Sequence, residues 1–82
     1  MREEAEEGEG IAKFCAYKGS EEPVGTMVRV IWRDKTDAGM ISRAAKLWPD
    51  GFTVYRFIGK DYFAPLTDGA SWRLVWDGRR VR

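Results

Sequence analysis

The 82-residue chain contains no histidine. That removes the side chain most used as a general base near neutral pH and as a zinc ligand. Cys15 is the only cysteine, so no internal disulfide can form, and a reduced cytoplasmic setting is the simplest expectation. No apolar run approaches the length of a membrane span. The N-terminal stretch is acidic and carries no apolar segment, so it does not read as a signal peptide. Phosphate-binding glycine loops are missing, because neither Gly-x-x-x-x-Gly-Lys nor Gly-x-Gly-x-x-Gly occurs. Asp34-Lys35-Thr36-Asp37 lacks the alternating oxygen donors and closing glutamate of a calcium loop. These absences together argue for a non-enzymatic protein with no catalytic, cofactor-binding or metal-binding residues to nominate.

What the chain does have is aromatic mass. Four tryptophans, four phenylalanines and three tyrosines let a small core bury a large area per residue. Its net charge of +1 conceals an uneven layout. Residues 1–10 hold five glutamates against Arg2, a net of −4, and the remainder holds thirteen basic and eight acidic side chains, a net of +5. The first ten residues have little to bury and read as a disordered acidic tail, followed by one small domain over 11–82. The tail is either a solubilising end or a shield for the basic body.

Periodicity organises the body. Met27–Arg33 alternates Val28, Val30 and Trp32 against Met27, Arg29, Ile31 and Arg33, giving one bulky apolar face and one that carries two guanidinium groups. Ile11–Tyr17 alternates Ala12, Phe14 and Ala16 against Lys13, Cys15 and Tyr17. Phe52–Ile58 is a third strand with apolar side chains on both faces, and Ser71–Trp76 a fourth with Trp72, Leu74 and Trp76 pointing inward. Tyr62–Leu66 reads as a short edge strand, since Pro65 cannot donate to a ladder. Any strand after the Asp77-Gly78 turn is very short.

Residues 37–48 admit two readings. Met40, Ile41, Ala44, Ala45 and Trp48 share one helical face, Thr36 or Asp37 can cap it, and Pro49 ends it. Gly39 in the first turn argues against a helix, and a bulged strand over 41–48 is the rival. The expected fold is therefore mainly β, a small antiparallel sheet or barrel-like meander of four to six strands with at most one short helix near 37–48, or an α+β variant of it. The expected core is Phe14, Val28, Val30, Trp32, Trp48, Val54, Trp72, Leu74 and Trp76.

Tyr17, Gly19, Pro23-Val24, Val28-Arg29-Val30, Arg33-Asp34, Ala44, Trp48 and Tyr55-Arg56 form a spaced series. The series resembles a pattern in small uncharacterised proteins of tailed bacteriophages and prophages. It departs from that pattern at Ser20, Glu22 and Lys35, and it covers about half the chain. The resemblance implies a phage or prophage origin, a β-meander and no specific activity. It favours an accessory protein that binds a protein partner such as host machinery.

Two other functions compete with that one. Arg29, Arg33, Arg73, Arg79 and Arg80 are the candidate contacts for a protein partner or for nucleic acid, where exposed Tyr55, Phe57 or Tyr62 would stack bases. A structural component of the virion is the third reading. Against all three stands the simple role of strand arginines in keeping a sheet soluble and its edges unpaired. The carboxylates at Asp34, Asp37, Asp50, Asp61, Asp68 and Asp77 lie in turns, where aspartate usually bonds nearby backbone.

Overall fold

The computed structural model describes residues 11–24 and 29–81. The acidic tail, Met27 and Val28 lie outside the described residues. Within them the chain forms strand β1 (Ala12–Lys18), strand β2 (Arg29–Asp34), helix α1 (Asp37–Leu47), strand β3 (Phe52–Phe57) and strand β4 (Trp72–Asp77). The four strands make one open antiparallel sheet in the order β2-β1-β3-β4. Mainly β with a single helix is thus the architecture. The sheet is open rather than barrel-like, and α1 carries the chain across from edge strand β2 to central strand β3.

The helix reading prevails over 37–47 because the local signals reinforce one another. The Thr36 hydroxyl accepts from the Gly39 N–H at 2.9 Å, Asp37 occupies the first turn, and Lys46 the last. The Trp48 N–H closes the C-terminus on the Ala44 carbonyl at 2.8 Å, and Pro49 follows. Gly39 has a tertiary explanation. A Cβ there would stand 2.9 Å from Oδ1 of Asp34, at the end of β2. The glycine lets the strand's last carboxylate lie against the first helical turn.

Alternation on β1 delivers two cores, one on each face of the sheet. Phe14 and Ala16 join Phe52, Val54, Met40 and Ala44 beneath the helix, with Val30, Trp32, Trp48 and Trp76 packed around them. Trp32 and Trp48 stack at 6.0 Å, and Phe52 and Trp76 at 5.7 Å. On the opposite face Cys15, Tyr17, Trp72 and Leu66 form the second core, flanked by Tyr55, Phe57 and Tyr62. Among the described residues no helix covers that face. It is covered instead by the connection from Ile58 to Ser71. Tyr55 and Phe57 therefore point away from the helix and Val54 toward it, while Ile58 is largely exposed.

Two expectations fail at β4 and its approach. Tyr62–Leu66 is a run of turns and not an edge strand. Its Ala64 N–H bonds the Asp61 carbonyl, and its Ala64 carbonyl accepts from Nε1 of Trp72 at 3.1 Å. Secondly, Leu74 is not core but 49% exposed. The cause is a bulge: Val54 pairs with Trp76 while Tyr55 pairs with Leu74, so Val75 is an extra residue and the alternation changes phase. Trp72 and Leu74 stay on the helix-free face, Trp76 crosses to the helix side, and Val75, read as outward, packs against the helix-side core. No strand follows Asp77 among the described residues.

The sheet's end is pinned where three turns meet. Gly78 has φ +93°, and a Cβ on it would lie 2.8 Å from the Ser20 Cα. Only a residue without a side chain lets the end of β4 pass this close to the turn after β1. Beside it the Thr53 hydroxyl donates to the Gly19 carbonyl at 2.6 Å.

Candidate functional site

The side chains on the helix-free face follow from strand register. Arg29, Ile31 and Arg33 of edge strand β2 stand beside Tyr17, Cys15 and Lys13 of β1. Cys15 in turn faces Tyr55, and Tyr55 faces Leu74. Above these rows lies the 58–71 connection. Its own hydrogen bonds hold it there. The buried Ser71 hydroxyl donates to Oδ2 of Asp68 at 2.8 Å and accepts from the Asp61 N–H at 3.0 Å. The Asp61 carboxylate accepts from the Phe63 N–H, and the Asp68 carboxylate from the Ala70 N–H. Asp61 and Asp68 are thus backbone-binding turn aspartates as expected. Asp34 instead ends β2 while taking the Lys35 N–H, Asp37 opens the helix and Asp77 ends β4, the latter two paired with arginines.

Between β2 and this connection opens a groove of about 260 Å³, lined by Cys15, Arg29, Ile31, Phe63, Leu66 and Trp72 among others. Cys15 lies against its floor. Burial pushes the Cys15 thiol above its ordinary pKa despite the nearby Arg29 guanidinium, so the sulfur stays protonated and weakly nucleophilic at neutral pH. Burial likewise raises the Tyr17 phenol. Leu66, Tyr62 and Trp72 form the wall. Phe63 stands at the wall's edge, 90% exposed, touching Tyr62 edge-on at 5.4 Å between ring centroids. Among the described residues it is the one aromatic ring left largely exposed.

The five candidate arginines do not converge. Arg29 and Arg33 share the helix-free face at the β2 edge. Arg29 holds Glu22 at 2.7 Å, and Lys13, beside Arg33, lies over the Tyr62 ring at 4.5 Å. Arg73 projects to the helix side, where Nη2 meets Oδ2 of Asp37 at 3.1 Å. Arg79 lies beyond β4, across the sheet from β2, above the Trp76 ring and 2.7 Å from Oδ1 of Asp77. That contact holds the Asp77 carboxyl below the usual range. Arg80 follows it, exposed. Of the five only Arg29 lines the groove, Arg33 lies two residues further along the same face of β2, and the other three belong to the helix side or the far edge. Glu22, Ile31, Phe63 and Leu66 are not among the contact residues that the sequence nominates. Only the Arg29-x-Ile31-x-Arg33 spacing signalled any of them.

Among the described residues no three histidine, cysteine, aspartate or glutamate side chains gather as a metal site, and no helix is long and apolar enough to cross a membrane. Comparison with protein-family models, with curated proteins and with solved structures gives no match to this chain.

Proposed function

We propose that the chain is a non-enzymatic binding module that engages a protein partner through the groove on its helix-free face. The observation that carries this is Phe63. It is almost fully bare at the lip of an apolar groove, on a connection fixed by buried hydrogen bonds rather than left loose. An exposed aromatic beside an apolar cleft and a guanidinium is a composition that anchors protein interfaces. The protonated, buried Cys15 supports a binding role over a nucleophilic one. The likeness of the Tyr17–Ile58 series to small phage and prophage proteins makes a bacterial host protein the partner to seek, in the host cytoplasm.

A photo-crosslinking amino acid in place of Phe63 tests this in bacterial lysate, with the same group in place of the exposed helix residue Ser42 as control. The expected result is a discrete adduct from position 63 alone. Adducts from position 42 alone, or from neither, overturn the proposal.

A second reading has one observation in its favour. Lys13 over Tyr62, with Phe63 beyond it and Arg33 alongside, forms a short cationic and aromatic row of the kind that stacks unpaired bases. This reading predicts affinity for single-stranded nucleic acid that falls steeply with salt, and a flat gel-shift titration removes it.

A further inference from the structure

The groove borders an open strand edge. Strand β2 pairs with β1 on one side and with no strand on the other among the described residues. An edge of this kind adds an extended peptide through its outward backbone N–H and C=O groups. The side chains it offers such a peptide on the groove side are Arg29, Ile31 and Arg33, at a spacing of two. Ile31 is 49% exposed and lines the groove together with Arg29. Residues directly opposite one another on adjacent strands lie side by side on the same face. An added strand matching this edge therefore reads acidic-x-apolar-x-acidic.

We propose that the groove takes an extended acidic peptide segment of that pattern, added along β2 as a fifth strand. Its central apolar side chain packs against Ile31 and Phe63, and its two carboxylates meet Arg29 and Arg33. The proposal rests on the protein-binding reading and names the chemistry of the partner. Glu22 already supplies the model interaction: its carboxylate lies 2.7 Å from Nη1 of Arg29 at the mouth of the groove, in a pair that remains partly open to solvent. The incoming acidic residue takes the place Glu22 holds. Glu22 is then an internal competitor that lowers affinity for the partner.

Charge decides between occupants. Pairing β2 with the β2 of a second copy about Ile31 would set Arg29 against the Arg33 of that copy, two like charges directly opposite, which destabilises a ladder. A nucleic-acid strand would offer phosphates to the arginines but no aliphatic side chain to cover Ile31, which is 49% exposed. An acidic-apolar strand satisfies the arginines and covers Ile31 and Phe63 together.

The test uses the full-length isotope-labelled chain and a synthetic peptide, Gly-Thr-Glu-Val-Leu-Val-Glu-Thr-Gly, followed by amide chemical shifts. The controls are the same peptide with lysine at both glutamates and a twelve-nucleotide oligothymidine. Shifts are expected at residues 29–34 and 62–66. Affinity is expected to fall about tenfold or more with the lysine peptide and in the Arg29→Ala, Arg33→Ala double variant, and to rise about threefold in Glu22→Gln. Equal binding of the lysine peptide, weaker binding in Glu22→Gln, tighter binding of oligothymidine, or no shifts at about 1 mM peptide overturns the proposal. An adduct at position 63 together with failure of the peptide rejects the acidic strand alone. Failure of both rejects the protein-binding reading as well.

Discussion

Arg56 and Arg73 stand directly opposite each other on β3 and β4, and one carboxylate reconciles them. Asp37, in the first turn of α1, offers Oδ1 to Arg56 at 3.0 Å and Oδ2 to Arg73 at 3.1 Å. Two guanidinium groups facing across a ladder repel. The helix N-terminus favours an anion at the same point. Asp37 thus ties the helix to both strands while remaining partly solvated. Asp37→Asn is expected to lower stability by about 1 kcal/mol, more at low salt than at high. Urea unfolding at two ionic strengths measures it, and a double-mutant cycle with Arg73→Ala separates the pair from the helix contribution. Equal losses at both ionic strengths would show that the bridge is not electrostatic.

Gly39→Ala tests whether the close approach of Asp34 matters. Helix propensity alone forecasts a gain approaching 1 kcal/mol for this change. The new Cβ would stand 2.9 Å from an Asp34 oxygen that also holds the Lys35 N–H at 2.6 Å. The single variant is expected to gain nothing or lose stability, and the gain is expected to return in an Asp34→Ala background. A full gain in the single variant contradicts the steric account.

Ser71 is the bolt of the groove wall. Its buried hydroxyl is shared between Asp61 and Asp68. Ser71→Ala leaves the Asp61 N–H and an Asp68 oxygen without that partner and is expected to cost about 1–3 kcal/mol. Because Trp72 bonds Ala64 in the same connection, faster amide exchange at residues 61–68 should accompany the loss. Exchange there that stays at the wild-type rate would separate the wall's order from Ser71.

Alkaline pH is expected to destabilise the fold. Cys15 and Tyr17 both have pKa values raised by burial, so the unfolded chain releases these protons before the folded one does. Folded protein then binds more protons than unfolded, and stability falls with rising pH once the unfolded thiol and phenol begin to ionise, from about pH 8.5 upward. Cys15→Ala should shallow that decline. Rapid thiol alkylation of the native protein at pH 8 would instead show that Cys15 is not protected.

The sequence by itself determined the four strands of the sheet and the apolar faces of β1 and β2, and it left residues 37–48 open between a helix and a bulged strand. Alternation in β1 and the Phe52–Phe57 run are local signals settled by side-chain spacing within about ten residues, whereas the capping signals of Thr36–Pro49 competed with Gly39 until the close approach of Asp34 explained that glycine. It also identified Arg29 and Arg33 as neighbours on one face. It did not disclose the bulge at Val75, because an extra residue in one strand is defined only against its partner strand. Leu74 lost its core place for that reason. The groove was equally hidden. Leu66 and Trp72 share a groove with Ile31 only because the sheet sets β2 at one edge and the 58–71 connection folds back over that face. Strand order and loop packing join residues distant in the chain, and those long-range contacts alone decided that Phe63 stands bare beside a guanidinium.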